Sequence, residues 1–109
     1  LGSITVPVGR LDSFGYIDVG FIKIDVEGYE LAVLRGGYET IMRCRPIMYI
    51  EDDRPEKSIA LRKYITEELK YTIEDHEPPL FRENNFFENK KDIWAPMRYI
   101  SKNIICRPC

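Results

Sequence analysis

Two short apolar runs separated by an amphipathic stretch constrain the fold of this chain more than any other feature. The runs cover residues 21–26 and 46–51, and both are rich in β-branched residues. Short continuous apolar runs of this kind are typical of strands buried on both faces of a parallel sheet. Between the runs, apolar residues recur at spacings of three and four, which predicts one helix face: Leu31, Leu34, Tyr38 and Ile41. The order strand, helix, strand predicts a parallel βαβ crossover and an α/β fold.

The remaining chain predicts three further elements and one irregular segment. A second helix is expected over residues 55–69, because Leu61, Ile65 and Leu69 share one face. Strands are expected over residues 71–74 and 98–106, and residues 77–97 show no clean periodicity. The pair Gly36-Gly37 predicts a break in the first helix, since glycine inside a helix costs about 1 kcal/mol relative to alanine.

Composition narrows the class of protein. A length of 109 residues predicts one domain, and 44% hydrophobic with 31% charged residues argue against disorder. The net charge of −2 lacks the basic excess of proteins that bind nucleic acid through phosphate, so no nucleic-acid partner is expected. No apolar run approaches the roughly 20 residues of a membrane helix. The chain begins Leu1-Gly2-Ser3, without Met or a signal region, and is therefore expected to be a fragment.

Acidic residues follow both apolar runs. Asp25 and Glu27 come at the end of the first run, and Glu51, Asp52 and Asp53 at the end of the second. Ligands of open α/β sheets bind beyond the carboxyl ends of the strands, so Asp25 and Glu51 are predicted to converge there. Such carboxylates can act as a general base, bind a divalent metal or hold a cationic substrate. Glu27, Asp52 and Asp53 can alternatively cap the following helices.

Three further residue types are candidates for a role in the chemistry. Gly28 allows a tight turn and the close approach of a ligand. His76, the single histidine, follows the third predicted strand and is a candidate base on the same rim. Cys106 and Cys109 form a C-x-x-C pair, but Cys44 and His76 are expected at opposite ends of the sheet, so no metal site is predicted. Reduced thiols and a cytoplasmic location are expected.

The order of five segments resembles the FkbM-type methyltransferases. Residues 21–37, reading FIKIDVEGYELAVLRGG, resemble the signature segment of that family. Residues 8–12 resemble the leucine-aspartate segment before it, and residues 45–51 resemble the next core strand. Residues 84–87 and 101–108 resemble the family's loop and closing strand.

This resemblance implies a Rossmann-like fold that uses S-adenosylmethionine and transfers its methyl group, commonly to an oxygen. It implies that the final strand runs antiparallel, between the two strands before it. Asp25 would be the base or would orient the acceptor, and Glu51 would assist it. Phe86, Phe87 and Trp94 would cover the acceptor, or alternatively their segment is an irregular covering whose aromatic side chains plug the core. The remaining candidates for substrate binding are Glu27, Gly28 and Asn85, and His76 is the third catalytic candidate.

The glycine-rich cofactor turn and the acid that would hold the ribose have no counterpart in this sequence. Residues 1–109 are therefore expected to form the C-terminal part of a single methyltransferase domain. The acceptor stays open among sugars, lipids, peptides and other small molecules. The alternative is a non-catalytic α/β interaction module left from a truncated methyltransferase. In either case the first core strand would be an uncovered edge, which predicts self-association.

Overall fold

Four strands and three helices make up the part of the chain that the structure describes. The computed structural model describes residues 2–78 and 101–109. A single 3-10 turn, Leu11–Phe14, precedes the first strand, and a π-helical turn, Tyr64–Glu68, follows the third helix. The elements in chain order are β1 (Phe21–Ile24), α1 (Glu30–Gly36), α2 (Tyr38–Cys44), β2 (Ile47–Glu51), α3 (Pro55–Lys63), β3 (Tyr71–His76) and β4 (Asn103–Pro108).

The four strands form one mixed sheet in the order β1-β2-β4-β3. β1 and β2 are parallel, with Phe21 opposite Ile47 and Ile24 opposite Ile50. β4 lies between β2 and β3 and runs antiparallel to both. The predicted βαβ crossover is therefore confirmed, and so is the position of the closing strand.

The core lies on one face of the sheet. The helices contribute Leu34, Ile41, Leu61 and Ile65 to it, and the strands contribute Ile24, Met48, Ile50, Ile104 and Cys106. Side chains alternate along the strands, so that Met48 and Ile50 are fully buried whereas Phe21 is 60% exposed and Ile47 is 43% exposed. The prediction of strands buried on both faces is wrong, because the helices of the described part pack against one face only.

The bounds of several elements differ from those predicted. β1 ends at Ile24, two residues early, because Val26 donates its N–H to the Glu30 carboxylate instead of a neighbouring strand. β3 extends to His76, which is therefore part of the strand. β4 continues to Pro108, and residues 79–100, with the predicted start of that strand at Arg98, lie outside the described residues.

The predicted helix break occurs at the glycine pair. α1 ends at Gly36 and α2 begins at Tyr38. Leu11 packs over the junction so closely that a Cβ added to Gly37 would lie 2.8 Å from Leu11 Cδ2. The glycine therefore makes room for the 3-10 turn that docks on it.

The second helix is confirmed with a change of geometry near its end. α3 covers Pro55–Lys63 and then widens into the π-helical turn. Its predicted apolar face is buried, with Leu61, Ile65 and Leu69 at most 3% exposed. Within the described residues, no helix is long and apolar enough to cross a membrane.

Candidate active site

The turn after β1 carries two residues with positive φ. Glu27 has φ of 49° and Gly28 has φ of 101°. A side chain at Gly28 would be strained by this conformation. Its Cβ would also lie 3.0 Å from Lys57 Nζ and 3.4 Å from Arg54 Nε. The positive φ therefore favours glycine, and the ends of two flexible cationic side chains lie close to it.

A buried carboxylate stabilises this turn from inside. Glu30 is only 5% exposed, and its oxygens accept the N–H groups of Val26 and Gly28 at 3.1 Å. The sequence pattern alone does not distinguish Glu30 from the other acids of this segment. Glu30 accepts these backbone N–H groups only because the turn folds back over its carboxylate. The one sequence feature that could indicate this role is an acid two residues after the glycine of a tight turn.

Asp25 and Glu51 occupy adjacent positions at the carboxyl ends of the parallel strands. Ile24 and Ile50 are direct neighbours in the register, and the two acids follow them. Asp25 is exposed in the turn, and Glu51 is half-buried as the last residue of β2. The register therefore places these two sequence-predicted candidates at the same edge of the sheet, each one residue beyond the last β1–β2 pair.

A row of polar residues continues from Glu51 across the sheet. Glu51 pairs with Asn103 in β4, and Asn103 pairs with His76 in β3. Asn103 is 8% exposed and donates from Nδ2 to Ser101 Oγ at 2.8 Å. Sequence analysis missed Asn103, because its place beside two candidates follows only from the antiparallel register of β4.

His76 lies at the far end of this row. Its Nδ1 is 2.7 Å from the hydroxyl oxygen of Tyr49, and the two rings pack edge to face. β1 and β3 are the two outer strands, so His76 is three strand spacings, or about 14 Å, from the position of Asp25. The two candidates share the rim of the sheet, but they do not meet at one acceptor atom.

Asp52 belongs to a separate ion-pair network. Its side chain is 3% exposed and accepts from Ser58 Oγ at 2.9 Å and from Arg62 Nε at 2.7 Å. Arg62 also binds Asp75 in β3. The hydrogen bond from Arg62 lowers the pKa of Asp75, and the same bond raises the pKa of Arg62. This network ties the end of β2 to α3 and β3.

The capping alternative is wrong for all three acids considered. The residues that precede α1 and α3 are Tyr29 and Arg54, and neither helix start receives a side-chain cap. Asp52 binds Arg62, as described, and Glu27 lies in the positive-φ turn.

No cluster of three or more potential metal ligands occurs among residues 2–78 and 101–109. The three cysteines are free thiols, and burial raises the pKa of Cys106 to about 12. A fully buried thiol with this pKa has the properties of a core residue. Asn85, Phe86 and Phe87 lie outside the described residues.

Comparison of the sequence with models of known protein families identifies the family of this chain. The family model described as the methyltransferase FkbM domain matches residues 1–90. This chain belongs to the FkbM methyltransferase domain family. No curated protein and no solved structure matched the chain.

The FkbM match covers most of the candidate site. It includes the Asp25 turn, Glu51 and His76, while Asn103 lies beyond it. Membership of this family indicates methyl transfer as the general chemistry and does not favour the alternative of a non-catalytic interaction module.

Proposed function

We propose that this chain provides the acceptor side of an S-adenosylmethionine-dependent methyltransferase that methylates an oxygen. The observation that carries the proposal is the pair Asp25 and Glu51 at the carboxyl edge of β1 and β2, within the FkbM match. Glu30 accepts hydrogen bonds from the turn that carries Asp25, which stabilises the position of Asp25 at this edge.

The two carboxylates suit part of a binding site for S-adenosylmethionine. A sulfonium is a cation, and the two neighbouring carboxylates suit a positive charge. S-adenosylmethionine supplies a methyl group that is already activated. The protein therefore has to align the acceptor, exclude water and accept one proton. In the proposal Asp25 accepts the proton of the acceptor hydroxyl, and Glu51 stabilises the bound acceptor beside it.

Other residues complete the proposed acceptor site. Glu27 and Gly28 lie in the same turn as Asp25, which supports a contact of their backbone with the acceptor. Asn85, Phe86 and Phe87, which lie outside the described residues, stay candidates for acceptor binding. His76 would act as a base only toward an acceptor that extends along the row of polar residues.

We also propose that the sheet is part of a Rossmann-like domain and that residues 1–109 form its C-terminal portion. The strand order β1-β2-β4-β3 with an antiparallel strand inside the sheet supports this. β1 has a neighbour on one side only within the described residues, which leaves room for a cofactor-binding half beside it. Three free thiols support a cytoplasmic location.

The test is methyl transfer from isotopically labelled S-adenosylmethionine. The polypeptide encoded by the complete reading frame is incubated with sugar, lipid, peptide and small hydroxylated acceptors, and labelled products are identified by mass spectrometry. The expected result is one methyl group added to an oxygen. Absence of labelled product with a bound cofactor and all four acceptor classes would contradict the proposal.

The 109-residue chain alone provides a second test. Because it has no glycine-rich turn and no ribose acid, we expect it to bind S-adenosylmethionine weakly or not at all. Isothermal titration calorimetry measures this directly. Micromolar affinity would show that this chain contains the cofactor site.

A further inference from the structure

A cleft between α1 and α3 has no role in the proposed methyl transfer. It has a volume of about 280 Å³ and opens beside Gly28, on the helix side of the sheet. Its walls are mainly apolar, and four of the side chains that form them are Leu31, Ala32, Ala60 and Leu61. Alanine from both helices leaves the space that larger side chains would fill.

Two cations converge at one end of this cleft. Lys57 Nζ and Arg54 Nε both lie within 3.4 Å of the point where a Cβ of Gly28 would be. Lys57 is held in place, since its Nζ donates to the Gly28 carbonyl at 3.0 Å and lies 5.2 Å from the centre of the Tyr29 ring. The two like charges therefore face each other at short range, which favours an anion between them.

Of the acids near the cleft, one approaches this pair within ion-pair distance. The Glu30 carboxylate accepts hydrogen bonds from backbone N–H groups, and the Asp52 carboxylate accepts them from Ser58 and Arg62. Among the described residues, the acid within ion-pair distance of Arg54 is Asp53, at 4.0 Å, and no acid lies within 4.0 Å of Lys57. Glu56 is a further acid and Arg35 a further cation along the cleft. Lys57 and Arg35 therefore have no ion-pair partner among the described residues, and Arg54 has one only at the outer limit of ion-pair distance.

We infer that this cleft binds a small amphiphilic anion, with its carboxylate or phosphate on Arg54 and Lys57 and its apolar body between α1 and α3. The charge pair selects the anionic head, and the alanine-lined walls accept a chain or ring. The inference goes beyond the proposed methyl transfer: Arg54 and Lys57 are distinct from the Asp25–Glu51 pair, although the cleft borders Gly28 of the proposed acceptor site.

The experiment titrates the 109-residue chain with octanoate and octyl phosphate, followed by amide chemical shifts and calorimetry. Octanol and octylamine test the need for the anion, and acetate and inorganic phosphate test the need for the apolar body. We expect saturable binding of one or both amphiphilic anions, with shifts at Gly28, Lys57 and Ala60. Added salt should weaken the binding, because exposed charges are screened.

Substitutions test the cationic end and the apolar walls of the cleft separately. Lys57→Gln and Arg54→Gln should each weaken anion binding by about fivefold to tenfold, the effect of one charge-assisted hydrogen bond in partly exposed surroundings. Lys63→Gln is the matched control, since Lys63 is an exposed lysine of α3 that does not line the cleft. Ala60→Leu should fill the cleft and reduce binding of the octyl compounds. A spectrum with the dispersion of the unsubstituted chain verifies that each variant folds.

Preference between the two octyl anions would identify carboxylate or phosphate as the head group. Several outcomes would overturn the inference. These are no saturable binding of either anion, equal affinity for octanol, equal affinity for acetate or inorganic phosphate, or an effect of Lys57→Gln no larger than that of Lys63→Gln.

Discussion

Glu30 is the residue on which the geometry of the candidate site depends most directly. Its carboxylate is buried and accepts two backbone N–H groups from the turn that follows β1. A buried carboxylate with charge-assisted hydrogen bonds stabilises a turn more than a neutral acceptor does. The position of Asp25 therefore depends on a residue that itself does not face the acceptor.

We predict that Glu30→Gln lowers the free energy of unfolding by about 1–3 kcal/mol, because the amide replaces one acceptor oxygen and leaves a buried donor unpaired. Urea unfolding followed by circular dichroism measures this. Glu67→Gln is the control, since Glu67 is exposed. Equal stability of the two variants would show that Glu30 does not hold the turn.

Sequence analysis identified the adjacent pair Asp25 and Glu51, because both follow apolar runs and parallel strands end at the same edge. It missed Glu30 and Asn103, because burial of the first depends on a positive-φ turn and placement of the second on the register of β4. It placed His76 on the same rim as Asp25, but the strand order that separates them by two strands follows only from the structure.

At the scale of elements, the 3-10 turn and the start of α2 hold each other in place. Asp12 accepts the N–H groups of Glu39 and Thr40, and also the hydroxyl of Thr40 at 2.8 Å. Leu11 packs on Gly37 at the same junction. Asp12 of the leucine-aspartate segment therefore caps the N-terminus of α2, a helix that begins 26 residues later in the chain, at Tyr38.

We predict that Gly37→Ala destabilises the chain by about 1–3 kcal/mol, because the new Cβ overlaps Leu11. The cost should fall when the substitution is made in a Leu11→Ala background, where the contact is absent. Thermal and urea unfolding of the double-mutant cycle measure the coupling. Gly20→Ala is the control, as no atom lies within 4 Å of its added Cβ. Additive effects of Leu11→Ala and Gly37→Ala would contradict this contact.

Asp12 also predicts a pH dependence. Burial acts to raise the pKa of Asp12, but hydrogen bonds from Thr40 and Glu39 and the charge of Arg10 together hold it below its ordinary value. A carboxyl with a lower pKa in the folded state stabilises the fold above its unfolded pKa. That contribution is lost as the pH falls through the folded pKa.

We therefore expect Asp12→Asn to be less stable at neutral pH by about 1 kcal/mol, the typical contribution of a helix cap. The difference from the unsubstituted chain should shrink as the pH falls below about 4. Urea unfolding across this pH range measures it, with Asp18→Asn as the exposed control. A difference that does not change with pH would assign the effect to shape and not to charge.

The elements themselves were largely predictable, because the apolar periodicity of the helices and the β-branched runs reflect local preferences. Burial of the strands was not, since the chain gives no sign of which face the helices will cover. The end of β1 was also not predictable, because the Glu30 side chain accepts the N–H of Val26, which is then not available to a neighbouring strand.

At the scale of the whole molecule, β1 is an edge strand of the described sheet with an apolar residue on its open face. Phe21 is 60% exposed, and Ile22 packs partly against the core. Edge strands with unpaired backbone groups pair readily with other chains. This is the surface that a cofactor-binding half would cover in the proposed domain.

We predict that the 109-residue chain associates through β1 and that Phe21→Lys reduces this association. Ile22→Lys should also reduce it, but with a lower melting temperature, because Ile22 contacts the core. Sedimentation over a range of concentrations measures the effect. Thr72→Lys, on the opposite edge strand β3, is the control and should associate like the unsubstituted chain. A monomeric chain at all concentrations would show that β1 is not a pairing edge.

The central claim is that Asp25 performs chemistry on the acceptor, and Asp25→Asn in the complete polypeptide tests it most directly. Asparagine keeps the shape of the side chain and removes its charge. We expect kcat and kcat/KM for the acceptor to fall together by about 100-fold or more, the usual contribution of a general base. The affinity for S-adenosylmethionine should stay within about twofold, and Asp18→Asn should leave both quantities unchanged. Unchanged turnover in the Asp25→Asn variant would contradict the account and return Asp25 to a structural role in the turn.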